Sequence, residues 1–155
     1  MGIRKAEKRD IPAVSNLLLQ VAAVHHNIRP DIFKPAAVKY SESELEKIFA
    51  DEKTPVFVSV DSSGKVQGYA FCIINERENA LLEKNKTVYI DDLCVDEACR
   101  GKHIGTELYE YVRKYAASIN ADSITLNVWE GNDSARAFYE KLGMKVQRTT
   151  MEECV

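Results

Sequence analysis

Between Thr87 and Trp129 the chain changes its hydrophobic period twice. Thr87 to Val95 is a strand-like run of β-branched, aromatic and aliphatic residues, and it ends in a polar, basic loop. Ile104, Leu108, Tyr111, Val112, Tyr115 and Ile119 then recur at helical spacing, after which Ser123 to Trp129 reads as a strand again. Strand, helix, strand at this spacing needs a crossover, so the two strands are expected to pair in parallel with the helix laid across the sheet.

The earlier part of the chain adds antiparallel pairing. Val56 to Val60 and Val66 to Ile74 flank the turn-rich stretch Asp61-Ser62-Ser63-Gly64-Lys65, which predicts a hairpin. Ahead of it lie a short strand around Ile3 to Lys5 and a helix from 11 to about 25, with Asp10 as its cap and Pro12 in its first turn. A loop carrying Pro30 and Pro35 follows, and then a short helix over Glu42 to Ala50. Near the end, Ala135, Phe138, Tyr139 and Leu142 mark one more helical face, with Gly143 as C-cap and a last strand near Val146. The expected class is α/β (α+β): a mixed sheet of about six to seven strands flanked by about four helices.

A length of 155 residues suits one domain, taken as 1–155, and 45% hydrophobic with 29% charged residues excludes a disordered tail or a coiled coil. With 21 Lys+Arg against 24 Asp+Glu the net charge is −3, which offers no general attraction for nucleic acid or an anionic membrane. A polyanionic ligand would need a locally basic site. No signal-like start and no long apolar span stand out, so a cytoplasmic protein is expected. Cys72, Cys94, Cys99 and Cys154 form no C-x-x-C pair, and neither a metal nor a disulfide framework is expected.

Arg100, Gly101, Lys102, His103, Ile104, Gly105 and Thr106 join a strand to a helix. A helix N-terminus presents free N–H groups and the positive end of its dipole, glycines allow close approach of backbone to ligand, and the cations add charge. The combination suits a pyrophosphate, and equally a solvated basic turn. It is neither a P-loop nor a dinucleotide fingerprint.

Two segments together resemble the GNAT superfamily of N-acetyltransferases. Leu93-Cys94-Val95 followed by Arg100-Gly101-Lys102-His103-Ile104-Gly105 resembles the family's acyl-CoA motif, Arg/Gln-x-x-Gly-x-Gly after an apolar strand end. Asn132-Asp133-Ser134-Ala135-Arg136-Ala137-Phe138-Tyr139, continuing to Gly143-Met144, is similar to its second motif. His103 departs from the pattern, standing where the family usually has glycine. The resemblance implies transfer of an acetyl group from acetyl-CoA to a primary amine of a small molecule or peptide by direct attack in a ternary complex, with no metal, and makes a homodimer plausible. A non-catalytic acyl-CoA-binding sensor is the alternative. The fold it implies contains a splayed parallel strand pair that holds the acyl-CoA.

By the same resemblance, backbone groups of Leu93 and Val95 would pair with the pantetheine arm, Asn132 and Ala135 lie beside it, and Tyr139 matches the tyrosine near the CoA sulfur. Tyr139 also fits plain core packing, and Asn132 a helix N-cap. A phenol is a poor acid for a thiolate, by about 2 kcal/mol, so a hydrogen bond to the leaving thiolate is the expected role. The acceptor must lose a proton. A lysine-like amine is neutral about one part in 2,500 at pH 7, worth about 4.6 kcal/mol, against about 1 kcal/mol for a chain-terminal amine. Asp91 and Asp92 are the candidate bases. Strict alternation sends them to opposite faces, so only one can face the acceptor, and Asp91 is preferred, through a water. His25, His26 and Arg29 lie in the region that closes over the acceptor in the family, and Glu76, Glu78 and Glu83 in another loop near it.

Overall fold

The computed structural model describes residues 2–155. The chain runs β1 (Gly2–Lys5), α1 (Ile11–Ile28), α2 (Glu42–Ala50), β2 (Val56–Val60), β3 (Val66–Arg77), β4 (Asn85–Val95), α3 (Ile104–Ser118), β5 (Ser123–Leu126) and α4 (Asp133–Lys141). The strands form one sheet in sequence order, antiparallel from β1 to β4 and parallel between β4 and β5.

Apolar spacing decides which face each helix covers. Ile11, Val14, Leu17 and Leu18 of α1 and Leu45 of α2 bury against Val56, Val58, Tyr69, Phe71 and Cys94. On the opposite face Leu108, Val112 and Ala116 of α3 meet Phe57, Ala70, Cys72, Val88 and Ile90. Each buried side chain of Leu or Phe size contributes roughly 1.5–3 kcal/mol. The turn into α1 is fixed by Asp10, whose buried carboxylate takes both guanidinium nitrogens of Arg4 at 2.7 and 3.0 Å and the Glu7 N–H at 2.7 Å. Ser41 starts α2 through a capping box with Glu44, each accepting the other's backbone N–H at 3.2 Å.

The sheet has five strands among the described residues, where six to seven are expected. The expected fifth strand stops at Leu126 rather than Trp129, because its partner turns away. Phe71 pairs with Asp92 and Cys72 with Ile90, which makes Asp91 an extra, bulged residue in β4. The parallel ladder ends there, its last pair being Ile90 with Leu126. The segment around Val146 belongs to no ladder, since a strand is defined by a bonded neighbour and this one has none among the described residues.

Candidate active site

Beyond Ile90 and Leu126 the two parallel strands diverge, and β4 runs on from Asp91 to Val95 with no neighbour on that side among the described residues. Which of its groups face the opening follows from the β3 ladder. The Asp96 N–H bonds Gln67 O at 2.9 Å, and bonded pairs alternate in an antiparallel ladder. Asp92 and Cys94 therefore bond to β3, while the N–H and C=O groups of Leu93 and Val95 point into the gap. The side chains of Leu93 and Val95 pack toward α3, and that of Cys94 toward α1, its Sγ donating to Leu17 O at 3.8 Å. Burial raises the Cys94 and Cys72 thiols to about 12, so both remain protonated packing groups.

The loop after β4 reaches α3 through two left-handed residues, Gly101 at φ 81° and His103 at φ 63°. Arg100 and Lys102 are exposed, whereas Cys99 and Ile104 are buried and pin the loop at either end. The N–H groups from Lys102 to Thr106 find no acceptor among the described residues. Gln20 of α1, not anticipated from the sequence, clamps the loop's entry: its Oε1 accepts the Glu97 N–H at 3.1 Å and its Nε2 donates to Asp96 at 3.4 Å. Gly105 faces Phe138, where a Cβ would lie 3.3 Å from the ring, so α4 packs closely on the start of α3. Free N–H groups, a helix N-terminus and exposed cations in one loop fit a pyrophosphate, and the open edge beside it fits an extended amide-bearing arm.

Asn132 caps α4, its Oδ1 accepting the Ala135 N–H at 3.4 Å. Tyr139 packs against the α3-side core beside Tyr109 and Phe138, with ring centroids 6.3 and 5.0 Å away. Burial and the negative charge of Asp92 push its phenol well above the ordinary value, so it is a donor at any physiological pH.

The bulge at Asp91 corrects one expectation. Alternation fails across it, and both aspartates lie on the α1/α2 side of the sheet. Asp91 Oδ2 accepts from Tyr40 OH at 2.7 Å and from Lys39 Nζ at 2.9 Å, while Asp92 Oδ2 accepts from Tyr69 OH at 2.6 Å. Tyr40 and Tyr69 both pack in the core on that face. Burial raises the pKa of Asp92, helped by the neighbouring charge of Asp91 and opposed by the Tyr69 hydrogen bond, Lys39 and His25. The raised Tyr40 and Tyr69 phenols remain donors to these carboxylates.

The loop after α1 leans on the residues that follow β5. Phe33 lies tilted against His25 with ring centroids 4.9 Å apart and meets Trp129 edge-on at 5.4 Å. His26 Nδ1 donates to Phe33 O at 2.7 Å, and Arg29 lies over Trp129 while pairing with Asp31 and Glu152. His26 thus shapes the loop. Glu76 lies apart, at the far end of the β3–β4 hairpin beside Lys53 and Lys86.

Residues 22–144 match the Acetyltransferase (GNAT) family. The chain belongs to this family. As a GNAT protein it is an acyltransferase built on the mixed sheet described above. It is 26% identical over 145 residues to YwnH of Bacillus subtilis (strain 168), named for phosphinothricin acetyltransferase activity, covering 92% of this chain and 83% of that one. It is 25% identical over 105 residues to glucosamine 6-phosphate N-acetyltransferase of Arabidopsis thaliana, covering 68% and 67%. Among solved structures, a tetramutant of the BH1408 protein from Bacillus halodurans superposes with a TM-score of 0.95 at 35% identity, over 100% of this chain and 100% of the other. A CoA complex of the aminoglycoside N-acetyltransferase AAC(6')-Iy shares the fold at 13% identity, with a TM-score of 0.74 and 99% and 98% coverage.

Proposed function

We propose that the chain is a single N-acetyltransferase domain, working in the cytoplasm as a homodimer, that acetylates a primary amine of a small molecule or peptide. The observation that carries this reading is the break in β4–β5 pairing, which leaves the Leu93 and Val95 backbone groups free between the loop of Arg100 to Thr106 and the pair Asp91–Asp92. Acetyl-CoA supplies the activated thioester. Arg100, Lys102, His103 and the N–H groups around Gly101, Ile104, Gly105 and Thr106 hold its pyrophosphate; Leu93, Val95, Asn132 and Ala135 border the arm. Cys94 anchors the strand from behind.

Asp92 is the base in this reading, in place of Asp91. Its raised pKa brings it closer to the amine it must deprotonate, and one oxygen, Oδ1, makes no bond to the described residues. Asp91, held by Lys39 and Tyr40, orients the acceptor and adds negative charge that favours a cationic amine. Tyr139 donates to the sulfur as it becomes a thiolate. Calorimetric titration with acetyl-CoA and an amine panel followed by free-thiol release test the proposal. Turnover with any amine supports it; failure to bind acetyl-CoA overturns it, and tight binding with no turnover across the panel favours the sensor.

A further inference from the structure

Tyr69 is the largest side chain wholly out of water among the described residues, at 0% exposure, and it carries a hydroxyl into an apolar core. Its ring meets Phe71 edge-on at 4.9 Å and packs with residues of α1 and β2 on that face, where phenylalanine would fill the same space without a polar atom. A hydroxyl buried this way costs free energy unless it is bonded. Its one bond among the described residues runs to Asp92 Oδ2, at 2.6 Å. Tyr69 faces Cys94 across the β3–β4 ladder and Phe71 faces Asp92, so the hydroxyl reaches the carboxylate diagonally, from the core side. Asp92 itself is only partly buried, and its Oδ1 takes no bond from the described residues.

We propose that Tyr69 is a positioning residue for acetyl transfer: it pins Oδ2 of Asp92 to the core, so that Oδ1 is the oxygen turned to the acceptor amine. The inference rests on Asp92 as the base and adds the group that aims it. The charged and titratable groups around Asp92 are Asp91 and Cys94 on its own strand, His25 on α1, Lys39 and Tyr40 ahead of α2, and Tyr139 on α4, and none of these bonds to it. Lys39 and Tyr40 are both taken by Asp91. The bond has a second effect. Burial and the adjacent carboxylate push the Tyr69 phenol far above its ordinary value, so it keeps its proton and can only donate. A fixed donor favours the ionised carboxylate, the form that takes a proton from the amine, and so offsets part of what burial and Asp91 do to Asp92.

Tyr69→Phe, Asp92→Asn and the double variant test this in two ways: by kinetics on a lysine-like amine that the panel shows to turn over, and by the carboxyl carbon resonances of aspartate-labelled protein, where the Asp92 signal is the one missing from Asp92→Asn. The Asp92 midpoint is expected about 1–2 pH units higher in Tyr69→Phe, and the rising limb of kcat/KM should move by the same amount, lowering kcat/KM about 10- to 100-fold on that limb. The acceptor's own titration is common to both proteins. Acetyl-CoA affinity should stay as it was, and the double variant should be no slower than Asp92→Asn alone. 3-Fluorotyrosine placed at position 69 alone, a stronger donor of nearly the same shape, should move the midpoint down, and it reads the bond even where Tyr69→Phe does not fold. An Asp92 midpoint indifferent to these changes, or a double variant about tenfold slower than Asp92→Asn, would overturn the proposal. Normal turnover by Asp92→Asn overturns the base and the positioning role together, whereas a slow Asp92→Asn beside an unmoved Tyr69→Phe profile overturns the positioning role alone.

Discussion

Arg100 to Thr106 and the pair Asp91–Asp92 border the same opening along β4, but they are assembled differently. The loop consists of consecutive residues, and what it offers is mostly backbone: N–H groups released by a helix start and by left-handed turns at Gly101 and His103. The acidic side is made of side chains brought from Tyr40, Tyr69 and His25 onto a bulge. A backbone site tolerates most side-chain changes and fails when the chain path changes. A side-chain site fails by the loss of one atom.

Asp92→Asn is expected to make the largest difference between the two regions. Loss of a general base should lower kcat/KM by about 10²- to 10⁴-fold for a lysine-like amine, and far less for an amine already neutral, while acetyl-CoA affinity stays as it was. The parent's kcat/KM should rise with pH through a value above the ordinary carboxylate range, because the base works ionised and burial disfavours that form. Stability runs the other way. The folded state keeps the Asp92 proton to higher pH than the unfolded chain does, so this contribution is full in acid and is lost as pH rises through the raised value. Asn at 92 should therefore not lower Tm at neutral pH. A variant with normal turnover on a lysine-like amine would remove Asp92 from the chemistry.

Tyr139→Phe should come next. A hydrogen bond to a charged group is worth about 1.5–3 kcal/mol, so kcat should fall about 10- to 100-fold with little change in the KM for acetyl-CoA. An unchanged kcat leaves Tyr139 a core residue between Tyr109 and Phe138.

The unequal legibility of the two regions has the same origin. Periodicity located α1, α3 and α4, because each carries an apolar stripe that a single sequence displays, and the loop could be read because its residues are contiguous. The bulge could not. It depends on how β4 registers against β3, and strict alternation sent Asp91 and Asp92 to opposite faces when one unpaired residue turns both to the same side. Gln20 and Lys39 were missed for a related reason: each reaches the site from another part of the chain, and nothing in their own neighbourhood marks them. The expected strand at Val146 has strand-like residues but no partner among the described residues, and pairing is what local sequence leaves out.

Gly68→Ala sharpens the comparison by moving backbone alone. A Cβ at Gly68 would lie 2.7 Å from Cys94 O and 3.2 Å from Leu108 Cδ1, and backbone cannot step aside as a flexible side-chain end can. Unfolding measurements should show a loss of about 1–3 kcal/mol. The displaced strand carries the free Leu93 and Val95 groups, so the KM for acetyl-CoA should rise while the amine's pH profile stays put. A KM equal to the parent's would mean that the pantetheine arm does not rely on that edge.

His103→Gly should produce the smallest change, and it separates backbone from side chain within the loop itself. His103 sits at φ 63°, where a side chain costs about 1–2 kcal/mol, part of which glycine gives back through its freer unfolded chain. The net gain should be up to about 1 kcal/mol, or about 2–4 °C in Tm. The imidazole itself is exposed at the helix start, beside the N–H groups that would hold a pyrophosphate. If it donates a hydrogen bond there, the parent should hold acetyl-CoA about two- to fivefold more tightly than the variant does. Equal affinities with a raised Tm would show that His103 contributes only its strained backbone, and the loop would then be a backbone site throughout.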